Sequence, residues 1–487
     1  MTDKTHSRLE RRLAEEQQTF ARPLRSLLGR AAVTCDVEST MAQAAALMRA
    51  QKVGSVVALD ALSQPVGIIT SHDMVGVAAA NAGARRVAEF MSRDPVSLPA
   101  HALAFEAAVT MTARRIRHLL VIDEGRLIGV VSERELFSLQ RLGLGEITME
   151  MRLAAEVPVL ADLAAVVRTL TATLVEQGVA TEQVALFVSV LNDRLSQRVI
   201  EIVRKRHDLE RISWCWLAFG SEGRVEQTFS SDQDNGIVFS AHDGASPQSL
   251  RDRLLPFARE VNDGLDVCGF PLCKGNVMAS NPALCLSLDE WQTKFAGWLA
   301  NTDPKALLDA SICFDFRALS GDAVLTAELR EWLLARVRGR PAFLRLLAEN
   351  AMAAHPASGV LRDFATDDVP QAPHSIDLKM HGARPFVDAA RLYALAHGLP
   401  QTGTVERLRA AAAAQVFSVA DVSAWVGAFG FIQRLRLRMQ GRDRADSPAT
   451  ANRLDPDSLD EFERRALKEA FRQASKLQKR LRLDYQF

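Results

Sequence analysis

Neither sign of charge dominates this chain. Its 487 residues hold 59 Lys+Arg and 59 Asp+Glu, a formal net charge of zero. With no overall basic field, binding to nucleic acid without sequence preference is not expected. No run of about 18 uninterrupted apolar residues occurs, so no membrane span is expected. The opening MTDKTHSRLERRLAEEQQ is too charged for a signal peptide. Six cysteines (Cys35, Cys215, Cys268, Cys273, Cys285, Cys313) lie scattered, without C-x2-C spacing or partner histidines. A structural zinc site is therefore not expected, whereas buried, reduced thiols in a cytoplasmic protein are. The phosphate loop G-x-x-x-x-G-K-[ST], the dinucleotide fingerprint G-x-G-x-x-G and the zinc-protease pattern H-E-x-x-H are all missing. What is present is a soluble-type composition, 48% hydrophobic and 24% charged, on a chain too long for one core.

An internal repeat runs from Ala31 to Gln140. Its first helix, TMAQAAALMRAQKV, is matched by AFEAAVTMTARRIRHL, and both place apolar residues at helical spacing. Paired strand signals follow: GSVVALD with PVGIITSHDM, then HLLVID with LIGVVSEREL. The copies align at Gly67-Ile-Ile-Thr70-Ser-His-Asp73 and Gly129-Val-Val-Ser132-Glu-Arg-Glu135. This repeat resembles a tandem pair of CBS domains, a Bateman module. The resemblance implies adenine nucleotide in the clefts between repeats. Hydroxyl and carboxylate contacts to phosphate and ribose would come from Thr70, Asp73, Ser132 and Glu135. The same residues also read as capping boxes, a hydroxyl at a helix start with an acid three residues on, needing no ligand.

Residues 141–210 read as long amphipathic helices joining two domains. In residues 211–322 strand signals return. ISWCWLAFG is a buried strand ended by glycine, and it leads into GSEGRVEQTFSSDQDN and then the apolar GIVF. In an extended chain, residues two apart project to one face with α-carbons about 6.5 Å apart. Asp232 and Asp234 therefore point together, and two such carboxylates repel unless a cation lies between them. Magnesium takes hard oxygen ligands and is commonly held by one or two carboxylates plus substrate phosphates. Gly220 lets backbone N–H groups approach a triphosphate, Ser221 offers a hydroxyl, and Arg224 can hold a phosphate bidentately.

G-S followed by D-x-D resembles the nucleotidyltransferases of the DNA polymerase β superfamily. The longer string, with CKGNVMASNP, EWQTKFAGWL, ICFDFRALSGD, IDLKMHGARPFVDAARLYAL and RRALKEAF downstream, is similar to the CBS-linked putative nucleotidyltransferases related to PII uridylyltransferase. That resemblance spans roughly residues 150–480. It implies a third carboxylate on a neighbouring strand, assigned to Asp315, for which a salt bridge to Arg317 or a helix start is the other reading. Lys274 and Asn276 sit in a polar loop that either contacts nucleotide or acceptor or is a turn without a ligand.

The expected fold is a multidomain α+β chain: an N-terminal helix at 1–28, a tandem CBS pair at 29–140, a helical connector at 141–210, a polymerase-β-type nucleotidyltransferase domain at 211–322 and a helical substrate-binding domain at 323–487. The resemblance implies a magnesium-dependent nucleotidyltransferase that moves UMP or AMP from NTP to an acceptor, with a protein side chain as the acceptor. Asp232, Asp234 and Asp315 would carry catalysis, and Gly220, Ser221, Arg224, Lys274 and Asn276 would bind nucleotide. The CBS pair would sense adenine nucleotide, and a cytoplasmic homodimer is expected. The alternative is a non-catalytic, nucleotide-responsive signalling protein.

Overall fold

A computed structural model describes residues 22–79, 82–114, 116–133, 136, 143–176, 179, 181–229, 231–240, 245–300, 303–357, 364–442 and 450–486. The chain divides into two compact units, Met1–Met149 and Glu150–Phe487. Most of the helix expected over residues 1–28 lies outside the described residues, as does Glu135.

In the first unit, strand β1 (Thr34–Asp36) runs parallel to β2 (Ser55–Leu59), which forms a hairpin with β3 (Pro65–Thr70), and β4 (Ser92–Arg93) closes the sheet. The second copy repeats this: β5 (Ser97–Pro99) is parallel to β6 (His118–Asp123), which pairs with β7 (Arg126–Ser132). Each hairpin shifts register at the same place, after Ala58–Gly67 in one and Val121–Gly129 in the other. Glu124 and Gly125 both have positive φ, 47° and 79°, so a two-residue turn matches the strand twist. Helix α1 (Met41–Gln51) begins in a capping box between Thr40 and Gln43. It buries Met41, Ala44 and Met48 against Val56, Ala58 and Ile69. Helices α2 (Ser71–Ala79) and α3 (Ala104–Arg114) complete the two copies.

Helix α4 (Gly143–Leu153) spans the junction between the units in sequence. Helices α5 (Val157–Glu176) and α6 (Thr181–Arg204) then pack on each other, and α6 lies against the β11 edge of a mixed sheet of order β10-β9-β8-β11. Strand β8 (Ser213–Ala218) is central, antiparallel to β9 (Asn235–Ser240) and to β11 (Arg317–Gly321), while β10 (Cys285–Ser287) is parallel to β9. The crossovers are α7 (Pro247–Val267), α8 (Leu288–Ala300) and α9 (Pro304–Cys313). Trp291 of α8 stacks edge-on against Phe219 and Phe295, and its Nε1 donates to Ile237 O at 2.8 Å. Helices α10 (Ala323–Val337), α11 (Pro341–Ala351), α12 (Arg384–His397), α13 (Thr404–Ala413), α14 (Val419–Arg442) and α15 (Glu461–Tyr485) follow. One apolar cluster runs from Cys215 through Phe314 and Phe386 to Leu481.

Two features depart from the expectations. The C-terminal region, read as helical, contains a small sheet of β12 (Asp367–Val369), β13 (Ala372–Asp377) and β14 (Arg453–Leu454). Strands β12 and β14 carry too few alternations for a period-2 signal, and Pro370 after β12 and Pro373 inside β13 read as loop. Helix α5 is also, over Val157–Val175, long and apolar enough to cross a membrane by length and composition. Asp162 and Arg168 interrupt its apolar run, and it packs against α6, α7 and α14 with Leu160, Leu163, Val167 and Leu174 buried.

Candidate functional site

The opening of the site follows from one glycine. Gly220 has φ +53°, and a Cβ there would lie 2.8 Å from Asp234 Oδ2. The chain leaving β8 must turn in the left-handed region while pressing on a carboxylate, and only glycine does both without strain. Phe219 N donates to Asp234 O at 2.8 Å, which pins the turn to the acidic segment.

That segment alternates. Gln233 and Asn235, 2% and 1% exposed, face the scaffold. Gln233 Nε2 donates to Asn262 O and Phe270 O, and Asn235 Oδ1 accepts from Asn262 Nδ2 and Ala279 N. Asp232 and Asp234 face the other way, into a cavity of about 340 Å³. The inward amides thus clamp the 270–279 loop, and that loop delivers Cys273. Its Sγ lies 3.4 Å from Asp234 Oδ1. One ligand atom from each of Asp232, Asp234 and Cys273 falls within 4.8 Å of the others, a spacing that could hold a cation. Burial, and then the Asp232 charge, push the Asp234 carboxyl up to about 6. The two carboxylates suit a hard divalent ion, whereas the thiol is a softer donor.

Gly220, Ser221 and Arg224 line the same cavity. Arg224 is engaged: its Nε donates to Glu226 at 2.8 Å and its Nη1 to Asp315 at 2.8 Å. Lys274 and Asn276 do not line the cavity. They sit on an exposed turn beside Cys273, closed by Asn276 N donating to Cys273 O.

Asp315 is not placed as a metal ligand. It is fully buried, and both its oxygens are taken by guanidinium groups: Arg391 and Arg407 on Oδ1 at 3.0 and 2.6 Å, Arg224 and Arg391 on Oδ2 at 2.8 and 2.7 Å. Burial alone would raise its pKa, but Arg391, Arg407 and Arg224 together hold it far below the usual carboxylate range. The salt bridge anticipated with Arg317 is also absent, since Arg317 pairs with Asp193 through two bonds of 2.8 and 2.6 Å.

Sequence reading missed the opposite wall. Asp377 caps a π-helical turn, Leu378–Ala383, accepting from Lys379 N and Met380 N, and this places Lys379 in the cavity. Arg384, Arg391 and Arg436 join it from α12 and α14. No sequence pattern marks a π turn, so the Asp-Leu-Lys of DLKMHGARP, an acid that can cap the turn carrying the lysine, was the available signal.

In the first unit, Thr70 and Asp73 line a cleft of about 440 Å³ with Arg93, Arg114 and His118. Asp73 Oδ2 accepts from Thr70 N at 2.7 Å and Thr70 Oγ1 at 2.9 Å, so its carboxylate caps α2 as well. Ser132 lines a second cleft of about 500 Å³ with Arg30, Lys52 and Ser71.

Comparison with known proteins agrees with this division. Residues 165–305 match the model "Putative nucleotidyltransferase DUF294", residues 341–485 match "Putative nucleotidyltransferase substrate binding domain", and residues 24–80 and 87–141 each match the CBS domain. An uncharacterised 17.7 kDa protein of Acidianus ambivalens is 34% identical over 98 residues, 20% of this chain. The chain spans 60% of the length of that curated relative. A CBS-domain containing protein from Agrobacterium tumefaciens is 30% identical, with 26% of this chain and 97% of that one covered and a TM-score of 0.24. A CBS domain protein from Pyrobaculum aerophilum, solved in complex with AMP, is 23% identical, with 23% and 89% covered and a TM-score of 0.23.

Proposed function

This chain belongs to the CBS-domain-containing putative nucleotidyltransferases, and from that premise we propose that it transfers a nucleoside monophosphate from NTP to an acceptor under nucleotide control. The acceptor oxygen attacks the α-phosphorus, the α–β bond breaks, and pyrophosphate leaves. The observation that carries this reading is the outward pair Asp232 and Asp234 beside Gly220 and Ser221 in one cavity. A divalent cation, magnesium in this reading, would be held by Asp232 and Asp234 and would neutralise phosphate charge. Gly220 leaves room for phosphate oxygens near the backbone, and the Ser221 hydroxyl donates to them. Such chemistry needs positioning and charge compensation more than covalent help, so few residues suffice.

The finer reading is UMP or AMP transfer to a protein side chain, in the manner of PII uridylyltransferase, by a cytoplasmic homodimer. The CBS unit would sense adenine nucleotide. Thr70 and Asp73 in a cleft that also holds Arg93 and Arg114 support a ligand with ribose hydroxyls and phosphate.

Pyrophosphate release from each NTP, measured with candidate acceptor proteins, tests the reading. Turnover should require magnesium and vanish in Asp232→Asn and Asp234→Asn. Unchanged turnover in those variants would sink the catalytic assignment. One observation favours a second reading, a nucleotide-responsive binding protein. The other acids lining the cavity, Glu226 and Asp388, are ion-paired with arginine, and no third free carboxylate lines it among the described residues. That reading predicts magnesium-dependent nucleotide binding without pyrophosphate release.

A further inference from the structure

Five basic side chains line the cavity that holds Asp232 and Asp234: Arg224, Lys379, Arg384, Arg391 and Arg436. Three have carboxylate partners. Arg224 is paired with Glu226 and Asp315, Arg384 with Asp388, and Arg391 with Asp315 and Asp388. Lys379 and Arg436 have none among the described residues.

Arg436 is the more telling. It is only 7% exposed, yet its partners are neutral amides: Nε donates to Asn452 Oδ1 at 3.0 Å and Nη1 to Gln433 Oε1 at 2.5 Å. Its Nη2 has no acceptor among the described residues. A buried cation normally sits with an anion, because desolvation otherwise outweighs what the fold gains. Here burial pulls its pKa down to about 10, and the nearest acids, Asp377 and Glu226, make no ion pair with it. Arg330 shows the contrasting case. Half-buried and without a carboxylate partner among the described residues, it spends its donors on the Phe314 and Phe316 carbonyls, stacks 3.8 Å over the Phe316 ring, and does not line this cavity.

We infer that Arg436 and Lys379 form an anion subsite for the β- and γ-phosphates of the nucleoside triphosphate, facing the aspartate pair across the cavity. This rests on the nucleotidyltransferase reading and adds to it a role for the C-terminal helices in holding the donor. The guanidinium fork offers parallel N–H bonds to one phosphate, held in aim by Gln433 and Asn452. Lys379, on the exposed π turn, adds a mobile point charge.

Calorimetry on the full chain with tripolyphosphate tests the subsite, in magnesium for wild type and without metal on Asp232→Asn/Asp234→Asn. Arg436→Gln and Lys379→Ala should each weaken binding about tenfold or more. Neither should alter UMP binding, since a monophosphate lacks the distal groups. Lys379 is exposed, so its variant remains informative if Arg436→Gln fails to fold. Wild-type affinity in both variants would overturn the inference, as would absence of tripolyphosphate binding to either parent chain. Weakened binding without NTP turnover by wild type would uphold the subsite and overturn only the catalytic reading.

Discussion

Asp315 shows what three guanidinium neighbours do to one carboxylate. Removing its charge would leave Arg224, Arg391 and Arg407 buried together, so Asp315→Asn should cost about 3–5 kcal/mol in chemical denaturation. A metal ligand would instead lose ion affinity at unchanged stability. Glu222 behaves oppositely. It is 8% exposed, and burial raises its carboxyl from 4.5 to about 8, with Arg317 opposing and Asp193 and Asp234 adding. The folded state therefore binds a proton that the unfolded chain has released. That stability is complete below about 4.5 and is lost as pH rises through about 8, at ~1.4 kcal/mol per pH unit within the window. Melting curves across this range should show the loss in wild type and a flatter profile in Glu222→Gln. Asp234, raised to about 6, must give up its proton to bind a cation. Magnesium affinity should then fall about tenfold per pH unit below that value, and a pH-independent affinity would count against Asp234 as a ligand. Asp232 and Asp234 were legible in sequence because spacing alone aims them. Asp315 was not, since its partners Arg391 and Arg407 lie on α12 and α13, far along the chain.

At the scale of elements, local pattern predicted most helices and the paired CBS strands, and it failed where a residue's polar atoms were already committed. SLDE at Ser458–Glu461 reads as a capping box for the last helix, with Ser458 as the cap, yet that helix starts at Glu461 and Asp460 caps it, accepting from Glu463 N at 2.7 Å. Ser458 is held in a preceding 3-10 turn, donating to Asp455 O at 2.7 Å. The turn after β8 offers a direct test. Gly220→Ala places a side chain at positive φ and against Asp234, a strain of about 1–2 kcal/mol. Magnesium affinity should drop while far-UV circular dichroism stays native, and an unchanged affinity would show that this turn does not position the acid.

At the scale of the molecule, the strands of residues 213–321 and the helices beyond share one apolar cluster, from Cys215 to Leu481. Asp315 on one side is bound by Arg391 and Arg407 on the other. A fragment of residues 150–487 should melt in a single calorimetric transition, and one ending at 322 should not fold. Two separable transitions in the longer fragment would contradict the shared core. The composition hints at none of this, because a net charge of zero hides how the charges are sorted.

That sorting gives the cavity a polarity of its own, acids on the sheet side and unmatched cations on the helix side. A guest of single sign meets one welcoming wall and one hostile one. A guest with separated charges is oriented before any contact is specific, its cationic end toward Asp232 and Asp234. Raising the ionic strength should therefore blur the direction in which a ligand lies as well as loosen its hold.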